Sequence, residues 1–225
     1  MRGRGLDLKA ALTERMVRRS PFGVWTPPDF VDLGPRDAVD QALHRLTRAG
    51  VIRRITRGLY DKPGFNQLTE KPTNPDPRAV VDALARRDQA RMMVDGITAA
   101  NDLGLSDAVP ARIIIHTDAR LKNLDLGGIT IEFRKTAPSK LYWAGRPAMR
   151  VVQALWWLKD MLAGDAPRVR KRLASIFADP VHGPAIVADL HRGFSTLPAW
   201  MQDVLREIAA IEAPGRRATP PSECV

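Results

Sequence analysis

Cysteine is all but missing. The chain of 225 residues has one, Cys224, next to its last position. A lone cysteine excludes an intramolecular disulfide framework and a cysteine-based zinc site. It fits a reducing cytosol. Long hydrophobic runs are missing too. The longest, Val151 to Met161, is broken by Gln153, Lys159 and Asp160, and falls short of the roughly 18 to 20 apolar residues of a membrane span. Met1 to Leu12 has charges but no apolar stretch of the kind a signal peptide carries. A soluble cytoplasmic protein with no membrane partner is the expectation. Aromatics are scarce at 6%, but hydrophobic residues reach 44%, which excludes wholesale disorder. A chain of this size buries roughly 70% of its unfolded surface without staples. One large domain or two small ones fit the length.

The chemistry of a hydrolytic site is thin. Four histidines (His44, His116, His182, His191) are scattered without metal-ligand spacing. Ser139 and Ser195 have no evident base partner, and no phosphate-binding glycine loop is present. Asp118, Asp125 and Glu132 with Lys135 resemble the carboxylate–lysine set of a metal-dependent nuclease. However, Glu132 and Lys135 are three apart and point to opposite faces of a strand. The reading is therefore no enzyme, no cofactor and no metal, with a nuclease as the weakest alternative.

What is present is positive charge, unevenly placed. Lys and Arg number 35 against 25 Asp and Glu, a net charge of +10. Residues 1–64 hold +6 of that and residues 65–225 only +4. A polyanionic partner is thereby assigned to the N-terminal segment.

That segment reads as an ordered series. Leu8, Leu12 and Met16 recur every four residues, so Asp7 to Arg19 forms an amphipathic helix stopped by Ser20-Pro21. Val24-Trp25 is a short apolar pair. Thr26 caps a short helix from Pro27 toward Leu33-Gly34. Pro35 to Ala49 forms a third helix with Ala38, Val39, Ala42, Leu43 and Leu46 on one face, closed by Gly50. Val51 to Ile55 and Leu59 to Lys62 are β-prone runs around Thr56-Arg57-Gly58. This is the order of a winged helix-turn-helix domain, whose third helix enters the major groove of DNA and whose hairpin is the wing.

The expected DNA-contacting set is Thr26, Pro35, Arg36, Asp37, Gln41, Arg45 and Arg48 on and before the reading helix, with Arg53, Arg54, Arg57, Tyr60 and Lys62 on the wing. Arg36 suits guanine, Gln41 suits adenine, and Asp37 suits a cytosine amino group or the helix dipole. Arg57, beside Gly58 at the wing tip, suits a phosphate or the minor groove. Strand alternation puts Arg53 with Ile55 and Arg54 with Ile52, so the wing arginines cannot all face DNA together. Tyr60 suits a phosphate through its hydroxyl or, equally, a place under the wing. The same module also serves as a protein-docking adaptor in other settings, and that alternative stays open.

The remaining chain divides at two proline-rich stretches. Residues 65–77 read as a linker and 213–225 as a disordered tail. Residues 78–212 between them read as a second domain. It has helices over Asp76 to Ala90 and Asp95 to Leu105, then Val109-Pro110 and a buried strand over Arg112 to Thr117. A Gly127-Gly128 hairpin joins Lys122 to Leu126 and Ile129 to Arg134, and helices follow from Pro147, Val169, Pro184 and Pro198. The fold class is α+β: a small sheet and a C-terminal helical bundle. In the helix after Pro147, Trp156 falls with Val152 and Leu155 as core and Trp157 is the better candidate for a domain interface or a partner surface, although burial of both in the helical bundle is the preferred reading. Arg168, Arg170, Lys171 and Arg172 form a second basic cluster on a helix, which either extends the DNA footprint or simply solvates that helix, the second being the preferred reading.

Two segments carry a family resemblance. RDAVDQALHRLTRAGVIRRITRGLYDKP resembles the N-terminal domain of the AbiEi family, antitoxins of type IV toxin–antitoxin systems. The shared pattern runs from Ala42 to Tyr60: an Ala-Leu-x-x-Leu helix, a glycine, an apolar-Arg strand and Arg-Gly-aliphatic-Tyr. DGITAANDLGLSDAVPARIIIHTDARLKNLDLGGITIEFRKTAP is similar to the family's second domain at Ala99 to Leu105, Val109 to Ala111, His116 to Asp118 and Thr136 to Pro138. Together they cover about residues 5–160. The resemblance implies a repressor that binds double-stranded operator DNA upstream of its own gene pair. It also implies a partner toxin resembling a nucleotidyltransferase, countered directly or indirectly through a surface no short motif assigns. Self-association is left open.

Overall fold

Apolar residues at helical spacing set the first elements of the computed structural model, which describes residues 7–18, 23–108 and 111–209. Ser20-Pro21, Val109-Pro110, Cys224 and the 213–225 tail lie outside the described residues. Helix α1 (Leu8–Arg18) buries Leu12 and Met16. Strand β1 (Val24–Trp25) follows, then a 3₁₀ helix over Pro27–Phe30. The Asp29 carboxylate accepts from the Thr26 N–H at 2.7 Å and from its hydroxyl at 3.0 Å, which fixes the entry of this turn.

Helix α2 (Arg36–Arg48) buries Val39, Ala42, Leu43 and Leu46, four of the five residues of its expected apolar face. It ends as its glycine dictates. Gly50 adopts φ +68. Its N–H bonds the Thr47 carbonyl at 3.1 Å, and the Val51 N–H reaches back to Leu46 at 3.0 Å. This paired closure satisfies two carbonyls the helix leaves orphaned. Strands β2 (Arg53–Thr56) and β3 (Leu59–Asp61) then form a hairpin with Arg57-Gly58 as its two-residue turn, Gly58 at φ +72. β1 pairs with the other edge of β3, giving the sheet order β1-β3-β2. Leu12, Met16, Trp25, Phe30, Leu43 and Tyr60 meet in one core beneath these elements.

The stretch expected to be a linker carries a small hairpin, β4 (Phe65–Asn66) with β5 (Lys71–Pro72). Its side chains are poorly covered, Leu68 being 96% exposed. Helix α3 (Pro77–Asp88) starts on an Asp76 cap and buries Val80, Val81, Ala83 and Leu84. That apolar face packs back against β1 and β3. Arg86 reaches the Val24 carbonyl at 3.4 Å and Asp29 at 3.6 Å.

Strands β7 (Arg112–Thr117), β8 (Leu124–Asp125) and β9 (Thr130–Lys135) come later in the chain; β6 (Met92–Val94) and helix α4 (Gly96–Asp102) precede them. β7 runs parallel to β9, and β8 antiparallel to it through the Gly127-Gly128 turn. The Asn74 amide donates to the Gly127 carbonyl.

The chain divides into two compact units: residues 1–92 with 111–138, and residues 93–110 with 139–225. This division differs from the expected boundary at 65–77. The physical reason is α3, whose buried face belongs to the same body as the N-terminal sheet. β6 carries the chain from the first unit into the second.

The second unit is helical. α4 is capped by Asp95 and packs on α5 (Met149–Leu158). Gly96 is the point of closest approach, since a Cβ there would stand 2.5 Å from Cβ of Trp157. α6 (Leu162–Phe177), α7 (Gly183–Gly193) and α8 (Ala199–Ala209) complete the unit. The Asp189 carboxylate is 1% exposed. It accepts from Arg146 at 2.7 Å, from the Ala148 N–H at 3.2 Å and from Arg192 at 3.1 Å. Burial alone would raise its carboxyl, but these donors hold it below the usual carboxylate range.

Two expectations here are corrected. Trp156 is 49% exposed, edge-to-face with Trp200 at 5.8 Å, whereas Trp157 is half-buried beside Gly96. The buried stripe of α5 is Val151, Val152, Leu155 and Leu158, and Trp156 lies one helical step off it. The basic run on α6 is not simply solvated. Arg172 donates to the Leu103 carbonyl at 2.7 Å, Arg168 to that of Leu105 at 3.3 Å, and Arg170 pairs with Glu207. Two of its members thus supply cations to the C-terminal end of α4.

The architecture is α+β, with eight α-helices and small sheets among the described residues. No described helix is long and apolar enough to cross a membrane.

Candidate nucleic-acid interface

The apolar stripe of α2 faces the core, so its opposite side is left to solvent. Pro35, Arg36, Asp37, Asp40, Gln41, His44, Arg45 and Arg48 are all exposed there. Pro35 stands at the N-cap, and Asp37 is the acidic residue of the first turn. Arg36 Nε donates to Asp40 at 2.9 Å, one turn along. An exposed pair of this kind is worth well under about 1 kcal/mol, so Arg36 is cheaply released to another acceptor.

The hairpin beside α2 sorts its cations by burial. Arg54 and Arg57 are exposed, and Lys62 is half-buried. The strand pairing is irregular between Arg54 and Thr56, which breaks the strict alternation expected of the wing arginines. Arg57 occupies the first position of the turn. Its carbonyl accepts from Arg87 Nη1 at 2.7 Å, so α3 holds the turn in place while the Arg57 side chain stays outside. Arg87 did not figure in the expected set. Its only signal in the sequence is its place beside Arg86 at the end of an amphipathic helix.

Three expected residues serve the fold instead. Thr26 is 1% exposed, with its hydroxyl bound to Asp29. Tyr60 is 9% exposed and lies in the core cluster, the packed alternative for that ring. Arg53 makes a two-pronged pair with the buried Asp61, its Nε–Oδ1 separation being 3.0 Å. The structure therefore brings together Pro35, Arg36, Asp37, Gln41, Arg45 and Arg48 on one helix face, with Arg54, Arg57 and Lys62 on the hairpin. It takes Thr26, Arg53 and Tyr60 out of that group.

A further pair steadies the module. Arg15 forms a two-pronged bond with Asp32, both N–O separations being 2.6 Å, and donates to the Asp29 carbonyl at 2.9 Å. The bond with Arg15 holds the Asp32 carboxyl below its ordinary range, and the bond with Asp32 raises the Arg15 guanidinium. This ties α1 to the segment leading into α2.

The carboxylates weighed for nuclease chemistry are each occupied. Asp118 accepts from the Arg91 N–H at 2.9 Å, and Asp125 from the Gly127 N–H at 2.8 Å. Glu132 lies between Arg134 at 2.8 Å and Arg112 at 3.2 Å, and the Arg134 bond lowers its carboxyl. Among the described residues no group of three or more His, Cys, Asp or Glu stands close enough to hold a metal ion.

No curated protein matches the sequence. Among solved structures, that of the Rv2827c protein from Mycobacterium tuberculosis is similar. It has 22% identity and a TM-score of 0.40, over 88% of this chain and 76% of that one. The model of a family of unknown function, DUF6088, matches residues 13–170, most of the chain, and the protein belongs to that family.

Proposed function

We propose that the protein is a DNA-binding transcriptional repressor whose N-terminal module acts as a winged helix-turn-helix. The observation that carries this reading is the exposed face of α2. Arg36, Gln41, Arg45 and Arg48 stand opposite the face that buries Val39, Ala42, Leu43 and Leu46. A short-turned hairpin bearing Arg54 and Arg57 lies next in the chain. Helix, strand, 3₁₀ turn, helix and hairpin, with sheet order β1-β3-β2, is the arrangement such a module needs. Arg and Gln near the start of α2 read base edges, and the hairpin arginines bind phosphates.

The resemblance to AbiEi antitoxins supports the further reading that the protein represses its own operon and counters a nucleotidyltransferase-like toxin. The test is a gel-shift titration of the full chain on DNA upstream of its gene. Saturable, salt-sensitive binding that prefers this DNA is expected. No binding even at low salt would sink the reading and leave a protein-docking role for the module. A nucleotidyltransferase-like reading frame beside the gene, whose toxicity this protein relieves on co-expression, is the expected result for the antitoxin part.

A further inference from the structure

The first unit carries a concavity of about 440 Å³ between the hairpin turn, α3 and the β8–β9 region. This lies within the range of small-molecule sites, roughly 300 to 1,000 Å³. Five cations line it: Arg36, Arg57, Arg87, Arg120 and Lys122. Two of these are already neutralised, Arg36 by Asp40 and Arg87 by Asp88. Among the described residues, Arg57, Arg120 and Lys122 have no carboxylate partner and no acidic residue lines the cavity. Two other concavities of the unit differ in that respect. One is lined by Glu14 and Asp29, the other by Asp29 and Asp82. Three unneutralised cations around one hollow repel one another, an arrangement that favours an anion.

The rest of the wall is apolar. Leu84 is buried, while Leu121, Leu124 and Phe133 are half-buried. A duplex backbone reaches the rim of such a hollow but leaves this surface uncovered. A compact ligand with a phosphate at one end and a flat or apolar body at the other uses both.

We propose that this cavity binds a phosphorylated small molecule of mononucleotide size. Arg57, Arg120 and Lys122 take the phosphate, and Phe133 with the leucines takes the body. Arg57 and Arg36 also belong to the proposed DNA face. Building on that reading, the ligand and DNA compete for Arg57, with Arg36 also lining the cavity, which makes the site an effector switch.

Isothermal titration of the full chain with adenosine 5′-triphosphate, adenosine and inorganic phosphate tests the proposal. Saturable binding of the triphosphate is expected, with adenosine not binding and phosphate binding more weakly. The R120A/K122A double variant should weaken triphosphate binding by about tenfold or more, since it removes two charge-assisted hydrogen bonds. Both side chains are exposed, so the variant keeps its core. In nucleotide-free buffer it should bind upstream DNA as the parent does, and the triphosphate should weaken the parent's DNA binding. No saturable triphosphate binding overturns the proposal, as does binding the double variant retains. Loss of DNA binding by the double variant in nucleotide-free buffer also overturns it, by assigning these cations to the DNA backbone. Failure of the parent to bind DNA in the same buffer counts against the DNA reading instead.

Discussion

Replacing Arg57 by alanine removes one exposed cation and little else. The carbonyl that Arg87 grips is backbone and survives the change. The turn glycine at φ +72 is untouched, and the side chain is exposed. Folding stability should therefore stay within about 0.5 kcal/mol of the parent, the usual range for surface substitutions. DNA affinity should not. Each phosphate neutralised contributes about 0.9 to the slope of log K against log salt. Removing one phosphate-bound cation flattens that slope by about one. Over a fourfold rise in salt, from about 50 to about 200 mM, the parent's affinity should fall by a factor roughly 3.5 times that of the variant. Fluorescence anisotropy on a labelled duplex at four salt concentrations measures both slopes, and a thermal melt checks the fold. The effect should be equal on upstream and unrelated DNA, because a bond to phosphate carries no sequence information. An unchanged slope, or a weakening confined to one sequence, would refute the assignment of Arg57 to the backbone.

Arg36→Ala and Gln41→Ala should act oppositely. Each should relax sequence preference by about 1–3 kcal/mol, the worth of one bidentate hydrogen-bond pair to a base, while barely changing the salt slope. Competition of specific against scrambled duplex reads this out. Arg53→Ala should cost stability, about 3 kcal/mol, because it leaves the Asp61 carboxylate, 5% exposed, without its partner. Urea unfolding measures the loss, and a second change, Asp61→Asn, should recover part of it. Asp189→Asn tests a pH dependence. The native carboxyl is held below its ordinary value. Its contribution is therefore present above about pH 4, where the unfolded group ionises, and is lost as pH falls through the lowered native value. The asparagine variant should be less stable than the parent at neutral pH and should show a shallower decline in acid. Equal acid limbs in the two proteins would refute that account.

Local signals carried the first 60 or so residues well. The spacing of Val39, Ala42, Leu43 and Leu46 set the helix face, and Gly50 and Gly58 set its end and the turn. These features are decided within a few residues by steric rules, so a single sequence contains them. Tyr60 and Arg53 needed more. Tyr60 is covered because β1, more than 25 residues earlier, pairs with β3, and Arg53 is held by its cross-strand partner Asp61. The 65–77 boundary misled for a similar reason. Prolines mark a break in regular structure, but nothing local says that α3 turns its apolar face back onto the preceding sheet. Trp156 and Trp157 differ in exposure because adjacent residues stand about 100° apart around a helix. It is Trp157 that lies against Gly96, some 60 residues earlier in the chain.

Net charge located the N-terminal segment but overstates what it offers a polyanion. Arg15, Arg18 and Arg53 are tied to Asp32, Glu14 and Asp61, and Arg36 to Asp40. On α2 and the hairpin, the cations without a carboxylate partner among the described residues are Arg45, Arg48, Arg54, Arg57 and Lys62. At about 0.9 per phosphate, these five give α2 and the hairpin a salt slope near 4 to 5. The same slope bears on Arg120 and Lys122, which stand beside the hairpin turn. If they served the DNA backbone, the slope per bound chain would climb to about 6. A measured slope of about 5 or less in nucleotide-free buffer leaves them free for an anion of another kind, whereas a slope of about 6 or more would place them under the duplex.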